Sequence, residues 1–145
     1  MLMGFICNTY PFGELGQYKY VVTLSEYEGK LLLSRHQSRT TYETQGGHIE
    51  PGETVWKAAM RELYEESGAV EFTLLPVCDY RAGDETGHGD GAVFAAHITR
   101  LDALPAAFEM AEVRAFDGLP EDELLTYPLI TPTLYREAEK ILFGE

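Results

Sequence analysis

The chain has 145 residues, of which 45% are hydrophobic and 24% charged, and its formal net charge is −13. This mix is typical of a soluble globular protein, and the length suits one domain over residues 1–145. No apolar run reaches the ~20 residues of a membrane span, and Met1–Tyr10 lacks the pattern of a secretion signal, so we expect a cytoplasmic protein.

Charge and cysteine content exclude two further classes of protein. The acidic surface repels a phosphate backbone, and the 11 Lys and Arg residues are scattered, so we do not expect nucleic acid as a partner. Cys7 and Cys78 are too few for a disulfide framework and have no Cys or His at zinc-ligand spacing. We expect two thiols in or near the core.

The first half of the chain predicts a hairpin, a loop and a helix. Tyr18–Ser25 has the β-branched and aromatic residues of a strand, and Lys30–Arg35 follows the Glu28-Gly29 turn as its partner. Thr40–Gly52 is rich in Gly and Thr and is predicted to be a loop. Glu53–Ser67 contains no Gly or Pro and is predicted to be a helix.

The boundary and the inner face of this helix can also be predicted. It should end at Gly68, which suits a left-handed cap. The helical period places one apolar stripe toward the core, formed by Trp56, Ala59, Met60 and Leu63.

The second half predicts further strands and a terminal helix. Val70–Tyr80 and Gly91–Thr99 are predicted strands, and the polar, Gly-rich segment Ala82–Gly91 between them is expected to be a mobile loop. Glu112–Phe116 is a short strand candidate. Thr131–Phe143 is a predicted helix, with Thr131 as its cap and Pro132 at its first position. Strands interleaved with two helices predict an α/β sandwich around a mixed sheet.

Acidic residues gather on one face of the first helix. Glu62, Glu65 and Glu66 stand at i, i+3 and i+4, whereas Arg61 falls elsewhere on the helical projection. The face is either simply solvated or a site for a hard cation, which prefers oxygen ligands. The preceding Gly46-Gly47 pair is either an ordinary turn or a place where backbone atoms approach a ligand closely.

Residues 47–69 read GHIEPGETVWKAAMRELYEESGA and resemble the Nudix box, Gly-x5-Glu-x7-Arg-Glu-U-x-Glu-Glu-x-Gly-U, where U is a bulky aliphatic residue. The matching residues are Gly47, Glu53, Arg61, Glu62, Leu63, Glu65, Glu66 and Gly68. Ala69 departs at the last position, which should soften the loop–helix packing. Gln45 stands where many relatives have Pro, so we expect a less rigid start of the loop. The resemblance implies a Nudix-type α/β/α sandwich.

The resemblance also implies roles for individual residues. Glu62, Glu65, Glu66 and the carbonyl of Gly46 would hold Mg²⁺, with Mn²⁺ as a substitute. The pair formed by Glu53 and Arg61 would support the site. Either Glu65 or Glu62 would act as the general base. A further metal ligand or base would come from Glu112, with Glu109 as the competing candidate.

Residues outside the box should select the substrate, which in this family resembles a nucleoside diphosphate linked to another group. Arg35 and Arg39 would meet phosphates or a base edge beside the backbone of Gly47, or else belong to a solvated loop. Four aromatic residues near the amino end would stack on a base or pack within the sheet: Tyr10, Phe12, Tyr18 and Tyr20.

Markers of particular branches of the family are missing from the sequence. Asp84–Gly87 contains neither the Pro associated with ADP-ribose nor the Tyr associated with dinucleoside polyphosphates, and no coenzyme A motif precedes the box. This favours hydrolysis of a nucleoside triphosphate, including oxidised forms such as 8-oxo-dGTP. The alternatives are a hydrolase of ADP-ribose, nucleotide sugars or dinucleoside polyphosphates, and a nucleotide sensor without activity. Relatives are often homodimers.

Overall fold

The computed structural model describes residues 4–144 and contains one seven-stranded sheet with two α-helices. The strands are β1 (Ile6–Tyr10), β2 (Tyr20–Tyr27), β3 (Lys30–His36), β4 (Gln45–His48), β5 (Ala69–Asp84), β6 (Gly87–Leu101) and β7 (Met110–Phe116). The helices are α1 (Val55–Ser67) and α2 (Thr131–Phe143), and a 3-10 turn covers Asp122–Leu124. No helix within residues 4–144 is long and apolar enough to cross a membrane.

The sheet is mixed and is forked at β2. The strand order is β1-β5-β6-β2-β3-β7, and β4 also pairs with β2. The β2–β6 pairing is parallel, and the other pairings are antiparallel. Residues 20–23 of β2 pair with β4, whereas residues 25–27 pair with β3. The fork therefore brings β4, which contains Gly46-Gly47, beside the end of β3.

The two helices pack on opposite faces of the sheet, because side chains alternate along each strand. On β6, Phe94 packs toward Ala58 and Ala59 of α1, whereas Val93 belongs to the cluster that contains Leu134 of α2. All five side chains are buried. The predicted α/β/α sandwich around a mixed sheet is thereby confirmed.

The predicted core face of α1 was partly wrong. Trp56 and Met60 are 40% and 43% exposed, whereas the buried positions are Ala58, Ala59, Leu63 and Ser67. Small side chains at the contact let the helix approach the sheet closely. The helix begins one residue after its cap, Thr54, whose hydroxyl accepts a hydrogen bond from Lys57 N at 3.1 Å. It ends at Gly68 in the left-handed conformation, as predicted.

The expected mobile loop at Ala82–Gly91 is instead the tip of a long hairpin. The β5–β6 ladder continues to the Asp84–Gly87 pair, so only two residues form the turn. Arg81 and Asp90 face each other across it in a bidentate ion pair at 2.8 and 2.9 Å. The polar residues that predicted a loop therefore belong to two paired strands. Their backbone groups are hydrogen-bonded between the strands.

Other boundaries differ in smaller ways. The predicted loop Thr40–Gly52 contains β4, and β1 was not predicted. Helix α2 covers the predicted range, but Ile130 occupies the cap position and makes no side-chain capping bond. Thr131 is instead the first helical residue and is 3% exposed. Pro132 therefore lies one position further into the helix than predicted.

Candidate active site

The fork in the sheet places the Gly46-Gly47 backbone against two acidic residues of α1. The Gly46 N–H donates to Glu66 Oε1 at 2.8 Å. Gly47 lies against the Glu62 carboxylate, because a Cβ built on Gly47 would stand 2.3 Å from Glu62 Oε2. A Cβ on Gly46 would stand 2.2 Å from the backbone oxygen of Val21. Both approaches are possible only for glycine.

Arg61 clamps the loop before α1 to the helix. Its Nε and Nη2 donate to the two carboxylate oxygens of Glu53 at 2.6 and 2.9 Å, and Nη2 also donates to the His48 carbonyl at 3.2 Å. The predicted Glu53–Arg61 ion pair is present. Hydrogen bonds from Arg61 and from the Glu50 backbone lower the pKa of Glu53 to about 2.

Arg61 leaves the helix outside the acidic face, as its position on the helical projection predicts, but its charged end reaches that face. Its Nη1 lies 3.4 Å from Glu62 Oε2 and 3.5 Å from Glu65 Oε1. A guanidinium has a long stem and several donors, so it can serve Glu53 and still reach the neighbouring carboxylates. The helical projection gives the direction in which Arg61 leaves the helix but not where its charged end lies.

The acidic face holds more negative charge than its surroundings compensate. Burial raises the pKa of Glu62 to about 7, with Glu65 adding repulsion and Arg61 opposing the rise. Burial raises the pKa of Glu66 to about 9, opposed by the Gly46 N–H and increased by repulsion from Glu62 and Glu43. A cation bound beside these two carboxylates would favour their ionised forms.

The oxygen atoms of the acidic face are suitable ligands for a hard divalent cation. Within residues 4–144, no three His, Cys, Asp or Glu side chains converge into a ready-made metal site, because Arg61 and Gly46 each hold carboxylates of the face. The available donors are nevertheless oxygens with excess negative charge, which suit Mg²⁺. The residues that would hold it are Glu62, Glu65, Glu66 and the carbonyl of Gly46.

The structure places Glu112 in an ion pair. Its Oε1 accepts from Arg35 Nε at 2.8 Å and from the Tyr42 hydroxyl at 2.8 Å. Arg35 also donates to the Arg39 carbonyl at 3.1 Å, so its charge is engaged within the protein. The Glu109 side chain is 78% exposed, and its Oε2 lies 3.8 Å from His36 Nε2. The metal role of Glu112 and the phosphate roles of Arg35 and Arg39 stay predictions.

Gln45, expected to loosen the start of the loop, is instead fully buried in a polar network. Its Oε1 accepts from the Ser25 hydroxyl at 2.7 Å, and its Nε2 donates to Ser34 Oγ at 2.9 Å and to the Leu32 carbonyl at 3.2 Å. Ser34 Oγ in turn donates to the Glu66 carbonyl at 2.7 Å. The expectation of a less rigid start was wrong, because side-chain hydrogen bonds replace the ring of proline.

A cavity of about 440 Å³ opens beside Gly46 and Gly47, a size that suits a nucleoside. Of the predicted aromatic residues, Tyr20 lines it. Phe12 packs on Phe94 with ring centroids 5.3 Å apart, and Tyr18 donates to the buried Asp79 at 2.7 Å. The lining residues that sequence reasoning missed include Glu43, Tyr80 and Tyr127. Of these three, only Glu43 stands near the box in sequence, four positions before Gly47.

The clamp gives a testable dependence of stability on pH. Glu53 has a pKa of about 2 in the folded protein against an ordinary value of 4.5. Its stabilisation is therefore fully present above pH 4.5 and is lost as the pH falls through about 2. In metal-free urea titrations we expect the stability difference between wild type and Glu53→Gln to shrink over this range. A difference that does not change with pH would contradict the clamp.

Comparison with known proteins identifies the family. The NUDIX domain model matches residues 18–138. A relative from Bacillus subtilis (strain 168), YtkD, named as a candidate 8-oxo-dGTP diphosphatase, is 33% identical over 104 residues, which cover 72% of this chain and 65% of that protein. The chain thus spans just under two thirds of this relative. The CTP pyrophosphohydrolase of Escherichia coli (strain K12) is 29% identical over 113 residues, 75% of this chain and 80% of the relative.

Solved structures agree with the fold. The crystal structure of the Bacillus subtilis pyrophosphohydrolase BsRppH has a TM-score of 0.81 at 24% identity and covers 96% of this chain and 93% of its own. A NUDIX hydrolase from Nitrosomonas europaea has a TM-score of 0.68 at 19% identity, covering 87% of this chain and 91% of its own. Since the family model matches most of the chain and the box residues stand where the motif requires, this protein belongs to the Nudix hydrolase family.

Proposed function

We propose that this protein is a Mg²⁺-dependent pyrophosphohydrolase that cleaves a diphosphate linkage in a nucleoside triphosphate. The observation that carries the proposal is the position of the buried acids. Glu62 and Glu66 lie directly against the Gly46-Gly47 backbone, and this backbone also forms one wall of the nucleoside-sized cavity. A nucleoside in the cavity would therefore have its phosphates beside the acidic face.

The chain's own residues supply positioning and proton transfer. Arg61 holds Glu53 and the His48 carbonyl together, which fixes the loop against α1. Bound Mg²⁺ would neutralise charge on the phosphates and lower the pKa of a water molecule. Glu65 or Glu62 would take the proton of the attacking water. The water oxygen would form a bond to one phosphorus as the bridging P–O bond breaks, and the leaving phosphate group would keep the bridging oxygen with its electron pair and depart into solvent.

The names of two relatives support a triphosphate substrate. One is named for 8-oxo-dGTP and the other for CTP. Both compounds combine a nucleoside with a triphosphate, so the nucleoside of either would lie in the cavity of about 440 Å³ and its phosphates beside the acidic face. We extend the proposal to oxidised triphosphates such as 8-oxo-dGTP, because that is the form named for the first relative.

A substrate panel tests the proposal. With Mg²⁺, we expect release of pyrophosphate and a nucleoside monophosphate from triphosphates, no turnover after addition of EDTA, and recovery with Mg²⁺ or Mn²⁺. ADP-ribose, a nucleotide sugar and a dinucleoside polyphosphate serve as the other arms. If any of these compounds were cleaved faster than the triphosphates, the substrate would be assigned to that class instead. Tight nucleotide binding without turnover on any arm would indicate a sensor instead of an enzyme.

A further inference from the structure

One hydroxyl group faces the cavity without a partner. Tyr80 lines the cavity and is 5% exposed, and its hydroxyl makes no hydrogen bond to any residue from 4 to 144. Among these residues, the side-chain atoms that are closed off from solvent without a partner are Thr23 Oγ1 and Glu43 Oε1. The Tyr80 oxygen is not one of them, so a ligand atom in the cavity can reach it.

The neighbouring strand fixes the position of the Tyr80 ring. Tyr80 on β5 pairs with Gly91 on β6. A Cβ on Gly91 would overlap the Tyr80 ring and would stand 3.0 Å from its hydroxyl oxygen. The ring therefore lies across Gly91, and the hydroxyl lies over β6. Any residue with a side chain at this position would displace the ring, so Gly91 is what lets the hydroxyl reach the cavity.

The hydroxyl lies away from the side of the cavity that meets the acidic face. Strand pairing places one residue from each of β5, β6, β2 and β4 in a row, namely Tyr80, Gly91, Tyr20 and His48. Neighbouring strands lie about 4.8 Å apart, so a hydroxyl over β6 is about 10 Å from the β4 backbone. A phosphate beside Gly47 would not touch it. The base, at the opposite end of a nucleotide from its phosphates, is the part that would.

The surroundings of the hydroxyl suit a flat ring with polar atoms at its edge. The Tyr20 ring lies over Gly89, since a Cβ on Gly89 would stand 2.5 Å from Tyr20 Cε2. The rings of Tyr20 and Tyr80 thus lie over the same strand, and aromatic side chains suit contact with a base. Burial raises the pKa of Tyr80, so its hydroxyl keeps its proton at neutral pH. A ligand can bond to this hydroxyl without breaking any hydrogen bond within the protein.

We propose that the β5 end of the cavity is where the base binds, and that the Tyr80 hydroxyl, which lies over Gly91, forms a hydrogen bond with the polar edge of the base. Tyr80 is then the specificity-determining residue that distinguishes a nucleoside triphosphate from a triphosphate without a base. This inference rests on the proposed function and gives the substrate an orientation, with its base toward β5 and its phosphates toward β4. Tyr80 takes no part in the cleavage step.

The variant Tyr80→Phe tests the inference, because it removes the hydroxyl and keeps the ring. The substrate is whichever of GTP, CTP, UTP and ATP the wild type cleaves best. For it we expect kcat/KM to fall by about 3- to 10-fold, the effect of one hydrogen bond. For ribose 5-triphosphate and inorganic tripolyphosphate, kcat/KM should change by less than about twofold. The melting temperature without ligand should not fall, since the hydroxyl bonds to no described residue.

Binding without turnover gives a second measurement. Calorimetry should show that the corresponding nucleoside monophosphate binds Tyr80→Phe about 3- to 10-fold more weakly than it binds the wild type, whereas ribose 5-phosphate binds both equally. Tyr135→Phe is the matched control, because it removes a tyrosine hydroxyl from α2 at a residue that does not line the cavity. It should keep the wild-type values in every assay.

Each alternative result overturns a different statement. Unchanged kcat/KM and unchanged monophosphate affinity in Tyr80→Phe would overturn the role of Tyr80 and leave the proposed function standing. An equal loss with ribose 5-triphosphate would place the hydroxyl at the ribose, and an equal loss with tripolyphosphate would place it at the phosphates; either overturns base recognition. A lower melting temperature would show that the hydroxyl supports the fold instead. Weaker monophosphate binding by Tyr80→Phe, without turnover by the wild type, would overturn the proposed function alone.

Discussion

Glu66→Gln is expected to remove nearly all turnover while the protein stays folded. The amide oxygen of Gln can still accept the Gly46 N–H that Glu66 accepts at 2.8 Å, so the contact between β4 and α1 survives. The charge that would bind Mg²⁺ is lost. We expect kcat/KM to fall by more than about a hundredfold, because changes in residues that only support a metal site reach that size.

The measurement pairs steady-state kinetics with calorimetric titration of Mg²⁺. Glu66→Gln should bind Mg²⁺ more weakly than wild type, and its melting temperature in EDTA should not fall. Glu137→Gln, at an exposed position of α2, is the matched control for loss of one charge and should retain full turnover. Undiminished turnover in Glu66→Gln would refute the assignment of the metal site to α1.

The sequence predicted the parts of this site that depend on local geometry. Helical spacing places Glu62, Glu65 and Glu66 on neighbouring positions whatever the rest of the fold does. Gly68 ends the helix in a left-handed conformation with φ 81°, which a residue without a side chain adopts at low cost. The box motif added the Glu53–Arg61 pair, which joins residues only eight positions apart.

The parts that could not be predicted depend on strand register. Glu112 meets Arg35 because β7 pairs with β3 at that position, and 77 residues separate the two in the chain. Gln45 reaches Ser25 and Ser34 only because β2 forks between β3 and β4. Spacing along the chain carries no information on either contact. The sequence therefore could not show that Arg35 and Glu112, two predicted site residues, are hydrogen-bonded to each other.

The cavity shows the same limit. Glu43 stands before the glycine pair in the sequence, but its place in the cavity wall depends on residues far away in the chain. The cavity walls include residues of β2, β4, β5, β6 and the start of α2, which only the complete fold brings together. A sequence motif can therefore locate the phosphate chemistry while leaving the choice of base open.

Gly47→Ala should lower turnover without loss of the fold. The added Cβ would stand 2.3 Å from Glu62 Oε2, and the end of a flexible side chain can move away at low cost. Glu62 would then leave its place beside the backbone. We expect kcat/KM to fall by about 10- to 100-fold, with a melting temperature close to that of wild type.

The variant Gly46→Ala is the comparison for Gly47→Ala. Its Cβ would stand 2.2 Å from the Val21 carbonyl, and a backbone atom within the β2–β4 pairing cannot move aside, so stability and turnover should fall together. Gly118→Ala, with no atom within 4 Å of the new Cβ, should change neither. If Gly47→Ala kept wild-type turnover, the exact place of Glu62 would not matter, and proton transfer would be assigned to Glu65 alone.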